Sequence, residues 1–252
     1  MTDALAYDHI ARWYDVDMAR NMAHDDVGFY RTLALRCGGR VLELGCGNGR
    51  ILLDLMRAGC DAVGVDRSAG MLRELLAKAA AQGLSPLVAQ MDVRALALSS
   101  RHALVLAPYS LVTYMVSDDD ATRLFAEAAR LLQRSGTLVV DAFIPRTAVS
   151  SPTFREDYRR PCHGGELARS RRITALEDGV NRIERRYVLR DGTGRVVEQV
   201  ETVEVVRPRA PAELCALLAR HGYAIESTWW DYGASASEAG AQFVTLRARL
   251  VR

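Results

Sequence analysis

A turn with three glycines, preceded by a carboxylate, is the stretch of this chain best suited to chemistry. Residues 41–44 are apolar except for Glu43, and Gly45, Gly47 and Gly49 follow directly. Residues without a Cβ let a turn tighten and let a ligand lie against the backbone, while the free N–H groups of a helix start can meet an acceptor. The pattern predicts a loop, between a buried strand and a helix, that binds a nucleotide-like ligand.

Side chains around this turn bear on which nucleotide it binds. A dinucleotide fingerprint reads GxGxxG, and the position of its third glycine is Arg50 here. Glu43 stands two residues before Gly45, where an anion suits a cationic ligand better than a diphosphate. Asp66 ends the second apolar run, 21 positions beyond Gly45, and a carboxylate so placed can accept both ribose hydroxyls. Because NAD is held in the same way, Asp66 alone does not separate the candidate cofactors.

Residues 43–49 resemble the first motif of class I methyltransferases, which is written E/DxGxGxG. The resemblance implies that the cofactor is S-adenosylmethionine, that the glycines contact its amino-acid part and that Glu43 acts on its ammonium. It also implies that Asp66 holds the ribose, that Met71 lies near the adenosine and that Asp92 bonds the adenine amine between apolar neighbours. The cofactor-binding residues predicted in this way are Tyr14, Glu43, Gly45, Cys46, Gly47, Arg50, Asp66, Arg67, Met71, Met91, Asp92, Val93 and Ala107.

The segment after the fourth apolar run begins at Ala107, at the sheet edge where ligands of open α/β folds bind. DNA and protein-glutamine N-methyltransferases carry Asn/Asp-Pro-Pro-Tyr/Phe there, so Ala107 argues against those substrates. The chain is more similar to bacterial natural-product methyltransferases, namely the toxoflavin-type and aminosugar N-methyltransferases. The similarity lies in the Tyr14-Asp15 pair, the Pro-Tyr-Ser after Ala107, a stranded insert and residues 230–233. It implies N-methylation of a small heterocycle or amine in natural-product metabolism.

Aromatic side chains are the candidates for the walls of the acceptor site, because their faces attract a sulfonium and exclude water. Tyr14 is the predicted catalytic residue, since similar family members hold a tyrosine of the N-terminal helices near the transferred methyl. His163, beside two glycines, is the candidate general base. Core packing of the aromatic residues and a surface position for the histidine are the alternatives. The predicted substrate-binding residues are Tyr7, Tyr109, Trp230 and Tyr232.

The order of elements predicts an α/β fold, a Rossmann-like class I methyltransferase sheet. Apolar runs at residues 41–44, 62–65, 86–89, 103–107 and 137–140 alternate with helical segments at 51–58, 71–81 and 121–132. Two N-terminal helices are predicted at residues 4–20 and 25–37, and turn signals within residues 166–207 predict an inserted antiparallel sheet of three strands. The predicted parts of this single domain, residues 1–252, are an N-terminal helical cap (1–38), a cofactor-binding core (39–145), the antiparallel insert (160–207) and a closing helix with strands (208–252).

Charge and cysteine usage limit the classes of partner. Among 252 residues, 33 are Lys or Arg and 31 are Asp or Glu, so a formal net charge of +2 provides no strong field for nucleic acid or anionic lipid. Five cysteines without a CxxC pair predict reduced thiols. Residues 1–9 lack a secretion signal, and no apolar stretch reaches the ~18 residues of a membrane span. We therefore expect a cytoplasmic monomer or homodimer that acts on a small molecule, without nucleic-acid or membrane partners.

Other functions remain open at this level. Within methyltransferases, O-methylation is the alternative, although oxygen acceptors usually need a base or metal and no evident cluster of His or carboxylates is seen. An NAD(P)-dependent reductase is contradicted by Arg50. A noncatalytic S-adenosylmethionine-binding partner protein is the third possibility.

Overall fold

The computed structural model describes residues 6–19, 23–145 and 150–251. The strands are β1 (Val41–Leu44), β2 (Ala62–Asp66), β3 (Leu87–Gln90), β4 (His102–Ala107), β5 (Leu132–Phe143), β6 (Arg155–Cys162), β7 (Gly165–Ala175), β8 (Asn181–Arg190), β9 (Val196–Val206), β10 (Tyr223–Trp230) and β11 (Phe243–Leu250). The helices are α1 (Ala6–Ile10), α2 (Tyr14–Met18), α3 (Asp26–Cys37), α4 (Leu52–Arg57), α5 (Ala69–Ala81), α6 (Asp118–Leu131) and α7 (Pro211–Arg220).

The larger sheet has seven strands in the order β10-β11-β5-β4-β1-β2-β3. The strands β1 to β5 run parallel, whereas β11 pairs antiparallel with β5 and β10 antiparallel with β11. All four residues of β1 are buried, because helices cover both faces of the sheet. The sheet order reverses between β1 and β4, so the carboxyl ends of these two strands flank the crevice where such folds bind ligands. The predicted Rossmann-like α/β fold is confirmed.

Side-chain caps fix where the helices around this crevice begin. Ser68 accepts the N–H of Met71 at 3.1 Å at the start of α5, and Ser117 accepts the N–H of Asp120 at 3.0 Å at the start of α6. Asp25 accepts the N–H of Gly28 at 2.8 Å before α3. The segments that follow β2 and β4 therefore start their helices, α5 and α6, from the same edge of the sheet.

The insert differs from the sequence prediction in its number of strands. It is a four-stranded antiparallel sheet in the order β6-β7-β8-β9, and not the three-stranded sheet expected from residues 166–207. The missed strand is β6, whose sequence REDYRRPC is so charged that it shows little apolar alternation. Arg159 and Glu156 pair on its exposed side, which shows why a mostly solvated edge strand carries these residues. The insert thus begins at Arg155, ahead of the predicted residue 160.

The N-terminal segment bridges the two sheets. The predicted first helix divides into α1, a 3-10 turn at Ala11–Trp13 and α2, and residues 4, 5 and 20 of that prediction lie outside the described residues. Trp13 is fully buried and packs with Ile10 against Tyr187 and Leu167 of the insert.

None of the helices in the described ranges has the length and apolar character that a membrane span requires.

Candidate functional site

The glycine turn has the backbone that its sequence predicts. Gly45, Gly47 and Gly49 have φ values of 68°, 53° and 85°, a region that L side chains rarely adopt. A Cβ on Gly49 would lie 2.8 Å from Leu75, so this glycine allows close packing of the following helices. A Cβ on Gly47 would meet nothing within 4 Å, so open space lies over this part of the turn. The buried Cys46 anchors the turn, because its N–H bonds the carbonyl of Val65 at 3.0 Å.

Glu43 supplies an unpaired carboxylate oxygen beneath the turn. Its side chain is 2% exposed, and its Oε2 has no hydrogen-bond partner among the described residues. Burial raises the pKa of Glu43 well above its usual value, while the positive charge of Arg50 acts in the opposite direction. A buried oxygen without a partner costs free energy, which a cationic or hydrogen-bonding ligand would recover.

Asp66 joins the second strand to the glycine turn. One of its oxygens accepts the N–H of Gly47 and the other accepts the N–H of Ser68, each at 2.8 Å. Burial raises the pKa of Asp66, and the two backbone hydrogen bonds partly offset that effect. Each carboxylate oxygen has a further lone pair, so the group retains capacity for two hydroxyl donors. Next along the chain, Arg67 is exposed and Met71 is buried in the first turn of α5.

The segment after β3 continues the same edge of the sheet. The N–H of Met91 bonds the carbonyl of Asp66 at 2.9 Å, which places the two predicted cofactor segments side by side. Both oxygens of Asp92 accept hydrogen bonds from Arg94, which lowers the pKa of Asp92. Val93 is buried against the core, whereas Met91 is partly buried. An ionised acceptor between two apolar side chains is an arrangement that fits an adenine amine.

Arg50 has a structural partner that the sequence did not suggest. Its guanidinium forms a two-pronged ion pair with the buried Asp26 of α3, with N···O distances of 2.7 and 2.6 Å. The same guanidinium lies 5.7 Å from the ring centre of Tyr109. The side chain therefore ties α3 to the glycine turn and to the end of β4, and a direct contact with the cofactor stays a prediction.

Tyr14 lies where the sequence-predicted residues converge. Burial raises the pKa of its phenol, and the charges of Arg50 and Asp66 act on the same hydroxyl. The ring of Tyr7 meets that of Tyr14 edge to face, with centres 6.1 Å apart. Asp15, which follows Tyr14 in the chain, accepts a 2.8 Å hydrogen bond from the buried Asn48, inside the glycine turn. The structure thus brings the N-terminal helices and the cofactor turn together.

A buried carboxylate that the sequence did not single out organises the turn after β4. Asp141 is fully buried and accepts the backbone N–H groups of Tyr109 and Ser110, at 2.9 and 2.5 Å. It also accepts the hydroxyls of Tyr30 and Tyr232, at 2.5 and 2.8 Å. Burial raises the pKa of Asp141 although all four hydrogen bonds favour its charged form. An aspartate within an otherwise apolar strand, LQRSGTLVVDAF, was the available signal.

This carboxylate holds strained backbone in place. Tyr109, Ser110 and Tyr232 have φ values of 54°, 58° and 59°, which non-glycine residues adopt at a cost. The Tyr232 hydroxyl is thus committed to Asp141 and its ring is buried, so the structure gives it a supporting position. Tyr109 is half-buried, and burial raises the pKa of Tyr109 to about 12. The residue Ala107 at the end of β4 is buried.

Two of the predicted residues lie apart from this group. His163 is exposed in the tight turn between β6 and β7, with a φ of 48°. No hydrogen bond or ion pair joins it to the glycine turn within the described ranges. Trp230 ends β10, pairs with Val244 and packs partly buried against the core. Neither side chain is brought to Tyr14, so their catalytic and substrate roles stay predictions.

The core of the chain matches a known family. Residues 41–136 match the family model described as a methyltransferase domain. Residues 41–136 are a methyltransferase domain. A putative methyltransferase of Geobacillus sp. (strain WCH70) is 27% identical over 142 residues, 54% of this chain and 57% of that protein. The chain therefore spans little more than half the length of this curated relative.

Solved structures extend the likeness of the methyltransferase domain to the whole fold. An S-adenosylmethionine-dependent methyltransferase from Clostridium acetobutylicum ATCC 824 superimposes with a TM-score of 0.81 at 18% identity, over 98% of this chain and 99% of that one. The sugar N-methyltransferase KedS8 from Streptoalloteichus sp ATCC 53650 gives a TM-score of 0.74 at 23% identity, over 100% and 96%. At these identities the comparison shows the fold, which is the one predicted from the sequence.

Proposed function

We propose that this protein transfers a methyl group from S-adenosylmethionine to a nitrogen atom of a small natural-product molecule. The observation that carries the proposal is the unpaired oxygen of the buried Glu43 under a glycine turn whose Gly47 faces open space. A buried carboxyl group at this place does not suit a pyrophosphate. It suits the ammonium of a methionine moiety, because pairing with that cation would favour the charged form that burial opposes. The side chains around it therefore fit this cofactor better than a dinucleotide.

Three segments of the chain would each hold one part of the cofactor. Gly45, Gly47 and Glu43 would hold its amino-acid part, Asp66 its ribose, and Asp92 with its apolar neighbours its adenine. When bound, the cofactor supplies an electrophilic methyl group on a sulfonium. Tyr14 and Tyr109 would face that methyl and exclude water, which favours a displacement that depends on alignment.

A nitrogen acceptor is supported by one of the relatives. The KedS8 protein, which shares the whole fold, is a sugar N-methyltransferase. Because the two folds align over nearly the whole of both chains, we expect an acceptor of similar size here. The crevice between the turn after β4 and the insert is the proposed acceptor site. The experiment must distinguish N-methylation from O-methylation of the acceptor.

The test combines cofactor binding with a paired acceptor panel. Calorimetry should detect S-adenosylmethionine and S-adenosylhomocysteine binding and no NADH binding. Mass spectrometry should then find methylated product from glucosamine, cyclohexylamine or benzylamine and none from glucose, cyclohexanol or benzyl alcohol. Binding of NADH alone would overturn the cofactor assignment. Methylation of the alcohols only would overturn the nitrogen assignment, and tight cofactor binding without any product would indicate a noncatalytic protein.

The matched control for Asp66 is Asp61, because the two aspartates lie at opposite ends of β2. In calorimetry, Asp66→Ala should lower the affinity for S-adenosylhomocysteine, whereas Asp61→Ala should not. Asp61 is 60% exposed and pairs with Arg40 just before β2, away from the turn. Equal affinity of the two variants would remove Asp66 from the site.

A further inference from the structure

A chain of hydrogen-bonded side chains runs from the N-terminal helices into the insert. The hydroxyls of Tyr7 and Tyr114 lie 2.5 Å apart, and Tyr114 donates to Glu204 at 2.7 Å. The other oxygen of Glu204 is paired with the guanidinium of Arg185. Glu204 is 2% exposed, so this carboxylate is buried and exchanges protons with solvent poorly unless a route is provided.

The donors in this chain can point in one direction only. An ionised carboxylate only accepts, so the proton of Tyr114 is committed to Glu204. Tyr7 must then donate its own proton to the oxygen of Tyr114. The oxygen of Tyr7 keeps a free lone pair, and no described residue donates to it. The open end of the chain is therefore an acceptor.

The open end lies beside the proposed methyl-transfer position. The ring of Tyr7 contacts the rings of both Tyr14 and Tyr114 edge to face, with centres 6.1 and 6.3 Å apart. Tyr14 in turn lies next to the glycine turn, through the hydrogen bond of Asp15 to Asn48. Tyr7 thus stands between the cofactor side of the crevice and the buried Glu204.

We infer that Tyr7, Tyr114 and Glu204 form a proton relay that binds the N–H of an amine acceptor and removes its proton. The inference rests on the proposed function and deepens it. An acceptor ammonium passes one proton to the oxygen of Tyr7, the proton of Tyr7 moves to Tyr114, and the proton of Tyr114 moves to Glu204. The freed nitrogen lone pair then forms the N–C bond as the C–S bond of the methyl donor breaks. After the product leaves, the proton of Glu204 returns through Tyr114 and Tyr7, in the reverse direction, to solvent at the open end.

The surroundings keep the two phenols neutral, as a relay requires. Burial raises the pKa of both Tyr7 and Tyr114, with the charge of Glu204 adding to the effect and that of Arg185 opposing it. The other titratable groups that face the relay are Tyr14 from α2 and Tyr187 from β8. The phenols therefore conduct protons without storing charge, and Glu204 is the group that changes its charge.

The test compares three variants at several pH values. Glu204→Gln keeps the shape of the relay but cannot accept the proton, and Tyr7→Phe removes the open end without touching the buried ion pair. Glu201→Gln is the matched control, because Glu201 lies on the same strand, is 51% exposed and pairs with Arg186 outside the relay. With the amine of the panel that is methylated fastest, the first two variants should lose about 100-fold in kcat at pH 7. Their deficit should shrink toward pH ~10, where free amine exists in solution.

A second readout does not depend on turnover. Calorimetry on the protein saturated with S-adenosylhomocysteine measures the affinities for cyclohexylamine and cyclohexanol. The unaltered protein and Glu201→Gln should prefer the amine, and Tyr7→Phe should lose about tenfold of that preference, the value of one hydrogen bond. Affinity for S-adenosylhomocysteine should stay unchanged in all variants.

The outcomes separate the relay from the proposed function. If amines are methylated and the Glu204 and Tyr7 variants behave as Glu201→Gln at every pH, the relay is wrong while the function stands. A uniform loss without pH dependence would show a structural role and would equally overturn the relay. If no amine is methylated, the proposed function fails, and equal binding of amine and alcohol then overturns the recognition by Tyr7 as well.

Discussion

Replacing Asp141 with asparagine should destabilise the protein far more than the small change in shape suggests. The two oxygens of Asp141 accept different backbone donors, Tyr109 on Oδ2 and Ser110 on Oδ1. An asparagine presents one oxygen and one NH₂ group to the same pair. Whichever way the amide is turned, one backbone N–H faces another donor. The tyrosine hydroxyls can rotate, but a backbone N–H cannot.

The size of the effect follows from these contacts. One buried N–H without an acceptor costs about 1–3 kcal/mol, and the remaining bonds lose their charge-assisted strength. Removal of the charge recovers some desolvation energy, since burial already raises the pKa of Asp141. The net loss in the free energy of unfolding should be about 2–4 kcal/mol, which lowers Tm by roughly 4–16 °C in a chain of this length. Tyr232→Phe removes a single donor and should cost about 1–2 kcal/mol.

Urea denaturation at pH 7 measures this difference directly. The matched control is Asp119→Asn, because Asp119 is 68% exposed and pairs with Arg123 one turn along α6. It should change the free energy of unfolding by less than ~0.5 kcal/mol. An Asp141→Asn variant as stable as this control, or no less stable than Tyr232→Phe, would refute the reasoning.

Three further predictions concern the cofactor site. Asp66→Ala should weaken binding of S-adenosylhomocysteine by about 1–3 kcal/mol in calorimetry, the scale of a lost charged hydrogen bond; unchanged affinity in folded protein contradicts its role. Tyr14→Phe should lower kcat more than cofactor affinity in steady-state kinetics, and equal losses would make Tyr14 a binding residue. Because Arg94 lowers the pKa of Asp92, its ionised form stabilises the fold above pH ~4, and this contribution is lost as the pH falls through the lowered pKa. Asp92→Asn should therefore reduce the urea midpoint at pH 7 but not near pH 2, and a pH-independent difference speaks against the ion pair.

The glycine turn and the strand–helix alternation could be predicted because their signals are local. Glycines at positive φ, and Ser68 and Ser117 as caps, act within a few residues of where they stand. The strand β6 could not be predicted in the same way. Its charges pair with other residues of the insert, for instance Arg159 with Glu166, and only the folded sheet shows those pairs.

The support of the site was missed because it depends on contacts between distant parts of the chain. Tyr30 and Asp141 are 111 positions apart, and Tyr114 and Glu204 are 90 apart. A lone carboxylate in a strand has no spacing pattern that distinguishes a buried hub from a surface charge. His163 stands out as a candidate base because it lies beside two glycines, whereas Glu204 stands among many charged residues of the insert.

The position of Asp141 also has a consequence for how the protein can be divided. A fragment cut at the borders of the methyltransferase domain, residues 41–136, would keep the glycine turn and the segment of Tyr109 and Ser110. It would lose Asp141 and both tyrosines that bind it, because these lie outside the borders on either side. Chimeras between this protein and others of the same fold should therefore have their crossover points before residue 30 and after residue 232. Asp141 and the two tyrosines that bind it are then transplanted together with the segment of Tyr109 and Ser110.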